Sequence, residues 1–238
     1  MSEDGKLTHP APPDKVRSFL EKVARTSPLS LQPRQSGRII FALDATASRE
    51  ATWLEAQRHQ AAMFDEASAL GGIALQLCYY RGMNDFVATP WLDDAPSLRR
   101  HMNSVDCLGG LTQMGRVLEH AIHAARQQRI HAVVFIGDCV EEPPDQLSHL
   151  AGQLGVLNAP LFLFQEGYDS TAELTFRQLA KLSRGAYCRF DAGSARQLRE
   201  LLGAVAAYAT GGPAALEQFG RDRGGLALQL SHQIKPEP

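Results

Sequence analysis

The sequence predicts an α/β fold in which a doubly wound, mostly parallel central sheet is flanked by helices as a three-layer sandwich. Three observations predict it. From Gly37 onward, short apolar runs alternate with longer segments of helical periodicity. The runs are apolar at nearly every position, as expected of strands buried on both faces. In addition, 44% of the 238 residues are hydrophobic and 21% are charged, which is enough apolar material for a substantial core.

The predicted strands follow from these apolar runs. The five main strands are predicted at residues 38–43, 73–80, 132–137, 160–164 and 186–190. A shorter run follows the turn at Gly82 and is predicted as an edge strand, residues 85–88. Because a helical segment separates most consecutive strands, the main strands are expected to run parallel.

The predicted helices lie between the strands, where apolar residues recur at helical spacing. The first helix is predicted to bury a stripe and to stop at Gly71-Gly72, the stripe being Trp53, Ala56, Met63 and Ala67. Later helices are predicted at about 111–128, at about 145–154, around 176–183, and from 195 to beyond 205. This alternation places helices on both faces of the sheet.

Composition divides the chain into three parts. Residues 1–36 are polar and proline-rich and are predicted to form an N-terminal arm with a short helix at most. Residues 37–210 are predicted to form the α/β domain. Residues 211–238 begin with Gly211-Gly212-Pro213 and are predicted as a Gly/Pro-containing C-terminal tail.

Charge and hydropathy argue against nucleic acid and membranes as partners of this protein. The formal net charge is -2, with no basic stripe, which argues against nucleic acid as a partner. No apolar run has the length of a membrane span, and the acidic, proline-rich start is unlike a signal peptide. The four cysteines form no CxxC pair and are expected to be free thiols. We therefore expect a cytoplasmic protein without membrane contact.

Oxygen-bearing side chains follow three predicted elements at one end of the sheet. Asp44, Thr46 and Ser48 come directly after the first strand, and their alternation allows the side chains to converge. Thr112 follows a glycine pair in the loop that opens a helix, and Asp138 follows the strand predicted at 132–137. Two carboxylates and three hydroxyls form an all-oxygen set of the kind hard divalent cations prefer. The sequence thus predicts a site for Mg²⁺, or for Mn²⁺ or Ca²⁺.

These segments resemble the metal-ion-dependent adhesion site (MIDAS) of the von Willebrand factor A (VWA) family. The family pattern is Asp-x-Ser-x-Ser after the first strand, a threonine in a glycine-containing loop, and an aspartate after the fourth main strand. Here the three segments read DATAS, GGLTQ and FIGD. The resemblance covers residues 38–208 and implies a Rossmann-like VWA domain. It also implies the metal ligands, with hydroxyl oxygens from Thr46, Ser48 and Thr112 and carboxylates, direct or through water, from Asp44 and Asp138.

The resemblance implies a binding module and no enzyme. In such a module the metal accepts an acidic side chain from a protein partner, and an AAA+ ATPase or a chaperone-like protein is a candidate. The chain departs from the family pattern at three points. Thr46 replaces the usual serine, Leu111 separates the glycine pair from Thr112, and Cys139 follows Asp138 where glycine is common.

The residues of the predicted site are also compatible with roles other than metal binding. Aspartate, serine and threonine cap helices and form turns. A Mg²⁺-dependent phosphohydrolase of the haloacid dehalogenase type also has an aspartate after its first strand, but needs a second one where this chain has Thr46. A third alternative is a VWA scaffold that binds no metal. His120 and His123 share a helix face without the further ligands of a zinc site, and are predicted to face solvent.

Overall fold

A computed structural model of the chain describes residues 37–47, 50–59, 72–191 and 195–234. The predicted N-terminal arm lies outside the described residues, as do Ser48, Met63 and Ala67. Within the described part of the chain, no helix is long and apolar enough to cross a membrane.

The described strands form one six-stranded sheet in the order β3-β2-β1-β4-β5-β6. Their bounds are β1 Gly37–Asp44, β2 Ile73–Arg81, β3 Asp85–Ala88, β4 Ala132–Gly137, β5 Leu161–Glu166 and β6 Ala186–Phe190. β3 pairs antiparallel with β2 at one edge, and all other pairs are parallel. The predicted doubly wound, mostly parallel sheet is confirmed.

The central strands are buried on both faces, which explains their continuous apolar sequences. Along β1, Phe41 packs into the core on one face of the sheet, and its neighbours Ile40 and Ala42 pack into the core on the other. All three side chains are fully buried. β4 and β5 are buried along their whole length as well.

Helices cover both faces of the sheet and complete the three layers. Their bounds are α1 Glu50–His59, α2 Ala95–Asn103, α3 Met114–Gln127, α4 Pro144–Val156, α5 Ser170–Leu182, α6 Ala195–Arg223 and α7 Gly225–Ser231. α1, α2, α6 and α7 contribute buried residues to the core that contains Phe41. α3, α4 and α5 contribute to the core that contains Ile40.

The structure contains one helix that the sequence does not predict, and another helix begins later than predicted. The sequence does not predict α2, although Asp94 caps this helix by accepting a hydrogen bond from the backbone N–H of Ser97 at 2.7 Å. Only Leu98 and Met102 of this short helix are buried, so its apolar periodicity is weak. α3 begins at Met114, and Leu111, predicted to start it, is 48% exposed in the preceding loop.

The C-terminal segment is helical where the sequence predicts a tail. α6 continues past position 211 and is interrupted at Gly212, whose φ of 69° and ψ of -162° are not helical. Beyond this kink, Leu216, Ala227 and Leu230 are fully buried in the core. The boundary predicted at residue 211 therefore falls inside helical structure that packs on the domain.

Candidate metal centre

Asp44 and Asp138 lie at the carboxyl ends of two neighbouring parallel strands. Asp44 is the last residue of β1, and Asp138 directly follows β4. β1 and β4 pair from Ile39↔Ala132 to Leu43↔Ile136, so both aspartates leave the sheet at the same edge. Asp44 is only 3% exposed and Asp138 is half-buried. The topology thus brings the two predicted carboxylates to one place.

The chain turns sharply after β1 and keeps Thr46 close to Asp44. The backbone N–H of Thr46 donates a hydrogen bond of 2.7 Å to Asp44 Oδ1. Between them, Ala45 donates its N–H to the Tyr80 carbonyl at 3.0 Å and accepts from the Leu108 N–H at 3.1 Å. Thr46 is 7% exposed. This first segment is consequently fixed both to β2 and to the loop before α3.

Thr112 is held in that loop by Glu141, which follows β4. The Thr112 N–H donates to Glu141 Oε2 at 2.8 Å, and the Glu141 N–H donates to Thr112 Oγ1 at 3.1 Å. Thr112 is 6% exposed. Its hydroxyl oxygen retains a second lone pair beyond the bond to Glu141. These bonds place the second and third predicted segments side by side.

Glu142, from the loop after β4, caps the amino end of α3. Its carboxylate accepts hydrogen bonds of 2.7 Å from the backbone N–H groups of Met114 and Gly115. A carboxylate is favourable here because the first N–H groups of a helix have no partner within the helix. Burial raises the pKa of Glu142, and the bonds from Gly115 and Met114 oppose that rise.

Tyr80 and Cys139 show that the negative charges of this edge meet. Tyr80 is paired with Asp44 across β1 and β2 and is fully buried. Burial raises its pKa well above the usual value, and the charges of Asp44 and Glu142 add to the rise. Burial also raises the pKa of the Cys139 thiol to about 12, with further contributions from Asp138, Glu141 and Asp44. Tyr80 and Cys139 therefore each lie near acidic side chains of this sheet edge.

The donors of this region fit a hard divalent cation by their chemistry. In the described residues no group of three or more His, Cys, Asp or Glu side chains is placed to hold a metal ion. A site here would therefore combine the carboxylates of Asp44 and Asp138 with the hydroxyls of Thr46 and Thr112. The position of Ser48, the fifth predicted ligand, lies outside the described residues.

The structure adds contacts that the sequence does not predict and corrects one interpretation. Glu141 and Glu142 bind the Thr112 loop and the start of α3. Tyr80 is buried beside Asp44. His120, predicted to face solvent, is half-buried and bonds through Nε2 to Gln76 Oε1 at 2.8 Å. Glu142 lies 27 residues or more from its partners in sequence, so no local sequence pattern predicts its contacts.

No protein-family model matches the chain, and the comparison with curated proteins gives no match. Solved structures do match its fold. A von Willebrand factor type A protein from Catenulispora acidiphila has a TM-score of 0.61 at 16% identity, over 74% of this chain and 43% of that one. The SpRpn10 VWA domain has a TM-score of 0.55 at 11% identity, over 72% of this chain and 94% of that one.

A third match is proximal thread matrix protein 1 from the mussel byssus, in a structure with a zinc-occupied MIDAS motif. Its TM-score is 0.53 at 13% identity, over 72% of this chain and 46% of that one. This chain thus spans less than half of the Catenulispora and mussel chains and nearly all of the SpRpn10 domain. At these identities the likeness shows the fold, and the chain has the VWA fold that its sequence predicted.

Proposed function

We propose that this VWA-fold chain is a divalent-metal-dependent interaction module, which binds an acidic group of a protein partner at a MIDAS-type site. The proposed metal ligands are Asp44, Thr46, Ser48, Thr112 and Asp138, and the proposed ion is Mg²⁺, with Mn²⁺ or Ca²⁺ as substitutes. A bound cation supplies the positive charge that accepts the partner's carboxylate. Binding of this kind requires no catalytic step.

The observation that carries the proposal is the crowding of carboxylates at one sheet edge. Asp44 ends β1, Asp138 follows the neighbouring strand β4, and Glu141 and Glu142 come next and bind the Thr112 loop and the start of α3. Like charges gathered in a partly buried region repel each other, and a divalent cation relieves that repulsion. The threonine hydroxyls beside them supply neutral oxygen ligands without adding further negative charge.

Each residue has a distinct task in this scheme. Asp44 and Asp138 compensate the charge of the ion, and Thr46 and Thr112 complete its oxygen shell. Glu141 positions Thr112 through the two bonds that join them. With Ser48 as the fifth protein ligand, an octahedral Mg²⁺ would keep one position for an oxygen of the partner.

The setting of the module is proposed from the net charge and the sequence resemblance. The net charge of -2 disfavours nucleic acid, and we propose a cytoplasmic protein that works without membrane contact. The partner class follows the sequence resemblance, which makes an AAA+ ATPase or a chaperone-like protein the first candidates. A phosphohydrolase of the haloacid dehalogenase type is disfavoured because Thr46 occupies the position of the required second aspartate.

Metal titration tests the proposal. The protein is stripped with EDTA, and its thermal unfolding and calorimetric binding are measured as Mg²⁺ or Mn²⁺ is added. At about 100 times the dissociation constant, the metal should stabilise the folded state by roughly 2.7 kcal/mol. Asp44→Asn and Asp138→Asn should abolish this response. Asp93→Asn, which changes an exposed aspartate away from the site, should leave it unchanged.

Two results would redirect the assignment. If the wild-type protein responds to metal no more than its two site variants, the chain is a metal-free VWA scaffold. If it hydrolyses a phosphate monoester with Mg²⁺ and loses that activity in Asp44→Asn, it is a phosphohydrolase. A pull-down compared in Mg²⁺ and in EDTA then identifies the proteins whose capture depends on the ion.

A further inference from the structure

A groove of about 640 Å³ opens beside the candidate metal centre, between the start of α1 and the loop after α2. Its lining residues are Glu50, Trp53, Leu54, Asn103, Val105, Asp106 and Cys107. The groove is next to the centre because Leu108, one residue after Cys107, bonds to the Ala45 carbonyl at 3.1 Å. Ala45 directly follows Asp44, so one wall of the groove is joined to the end of β1 that carries Asp44.

The side of the groove formed by Trp53 is held in place. Trp53 donates its indole N–H to the Met102 carbonyl at 3.2 Å, which joins α1 to the end of α2. The Trp53 ring also packs edge-on against Tyr79 of β2, with 5.9 Å between centroids. Leu54 stands at the opening with 45% of its surface exposed. Trp53 itself is only 2% exposed, so Leu54 is the apolar side chain that this groove offers for contact.

Exposed apolar side chains concentrate around this end of the sheet. Eight large hydrophobic side chains are exposed in the described part of the chain, and four of them lie in α1, the turn after β2 and the loop before α3: Leu54, Met83, Leu108 and Leu111. Met83 lies in the turn after β2, and Leu108 and Leu111 lie in the loop that carries Thr112. That loop and turn touch, since a Cβ on Gly110 would meet the Gly82 carbonyl oxygen at 2.0 Å. Exposed apolar residues gathered in one place are typical of a protein-binding surface.

The charges around the groove limit what can bind there. Glu50 and Asp106 line it, and Glu141 is exposed beside Thr112. The nearby cation Arg81 is already engaged, with the Asp85 carboxylate at 2.7 Å and the Asp106 carbonyl at 3.0 Å. If a divalent ion is balanced by Asp44 and Asp138, Glu50 and Asp106 leave the described lining of the groove negative. The site would accept one carboxylate at the ion and repel others.

We propose that the groove seats the residues next to the partner's carboxylate, and that the partner is a protein segment of defined composition. The segment carries a single Asp or Glu, a bulky apolar residue within reach of Leu54, and basic rather than acidic neighbours that face Glu50 and Asp106. This inference rests on the proposed function, because the ion places the carboxylate. It adds the part of the surface that selects one acidic segment over another.

Selection from a random peptide library displayed on phage, in Mn²⁺ against the full chain, tests this inference. The enriched peptides should share one acidic residue, a bulky apolar neighbour and basic flanks. A fluorescein-labelled enriched peptide should then bind about tenfold more weakly to Leu54→Ser than to the wild-type protein. Leu174→Ser is the matched control, because Leu174 is 72% exposed on α5 and does not line the groove.

A double variant tests whether Glu50 and Asp106 select basic flanks in the peptide. Glu50→Gln combined with Asp106→Asn should let a peptide with acidic flanks bind about as well as one with basic flanks, while the wild-type protein prefers basic flanks about tenfold or more. Three results would overturn the inference. The selection could enrich no peptide, it could enrich acid-rich peptides, or Leu54→Ser and Leu174→Ser could weaken peptide binding equally.

The two proposals fail in different ways. Peptides that need Mn²⁺ and Asp44 but not Leu54 would preserve the metal-dependent function and remove the groove from it. Peptides that need Leu54 but bind equally in EDTA and to Asp44→Asn would preserve the groove as a binding surface. In that case the metal-dependent function would fall.

Discussion

Thr112 and Glu141 bind each other twice, through N–H···Oε2 at 2.8 Å in one direction and N–H···Oγ1 at 3.1 Å in the other. The two residues are 29 positions apart, in the loop before α3 and the loop after β4. This reciprocal pair fixes the hydroxyl of Thr112 relative to the strand end that carries Asp138. The geometry of the candidate centre therefore depends on a contact between two loops.

Thr112→Val should separate the structural role of the hydroxyl from its role at the metal. The change keeps the shape but removes the acceptor of the Glu141 N–H, which should cost about 1 kcal/mol of unfolding free energy. Urea denaturation in EDTA measures this loss, and the stabilisation by Mg²⁺ should disappear as well. Thr112→Ser keeps the hydroxyl and should retain both properties. If valine and serine behave alike in EDTA and in Mg²⁺, the hydroxyl has neither role.

Glu142→Ala should destabilise the domain by about 1–2 kcal/mol, because it leaves the first N–H groups of α3 without their carboxylate partner. Urea denaturation in EDTA measures the effect. Glu119→Ala is the control, since Glu119 lies exposed on the same helix. Equal stability of the two variants would mean that water replaces the carboxylate at no cost.

Gly110→Ala should displace the loop that carries Thr112, whereas Gly109→Ala should not. A Cβ at position 110 would lie 2.0 Å from the Gly82 carbonyl oxygen, and one at position 109 would meet nothing within 4 Å. Because the clash is with backbone, no rotamer change relieves it, and we expect a loss of about 1–3 kcal/mol. Gly109→Ala should stay within about 0.5 kcal/mol.

Thermal unfolding and Mg²⁺ titration of both glycine variants check this prediction. The alanine at position 110 should lower stability and weaken metal binding together, because the same loop positions Thr112. A Gly110→Ala protein with wild-type stability would contradict the close contact between the loop and the turn after β2.

The sheet could be predicted from the sequence because burial on both faces leaves an unambiguous apolar run in each main strand. α2 could not, since only Leu98 and Met102 of its nine residues are buried and the Asp94 cap is a single polar residue. The continuation of α6 beyond position 211 could not be predicted either, because Gly212 and Pro213 are residues that normally end a helix. Here they mark a kink, after which Leu216 returns to the core.

Only the part of the candidate centre that follows from the strand topology could be predicted from the sequence. Asp44 and Asp138 follow parallel strands, so their meeting at one sheet edge follows from the fold. The surroundings of the site depend on contacts between distant loops, such as that of Glu142 with Met114, 28 positions away. Neither periodicity nor residue spacing encodes such contacts.

His131 should make the stability of the domain depend on pH. Its Nδ1 accepts a hydrogen bond from the Arg38 N–H at 2.9 Å, which requires the neutral ring. Burial lowers its pKa to about 4, with further contributions from Arg129 and Arg38, whereas an unfolded histidine titrates near 6.5. The unfolded chain therefore binds the proton more readily, so the stabilisation is complete above about pH 6.5 and is lost as the pH falls towards 4. Because the ring is partly solvated, we expect a loss of about 1 kcal/mol of unfolding free energy over this range.

Urea denaturation at a series of pH values measures this loss. The free energy of unfolding should fall less steeply with falling pH in His131→Asn, which keeps an acceptor and does not titrate, than in the wild-type protein. His149→Asn, which changes an exposed histidine, should behave like the wild-type protein. Identical slopes for all three proteins would mean that the His131–Arg38 bond does not hold the ring neutral.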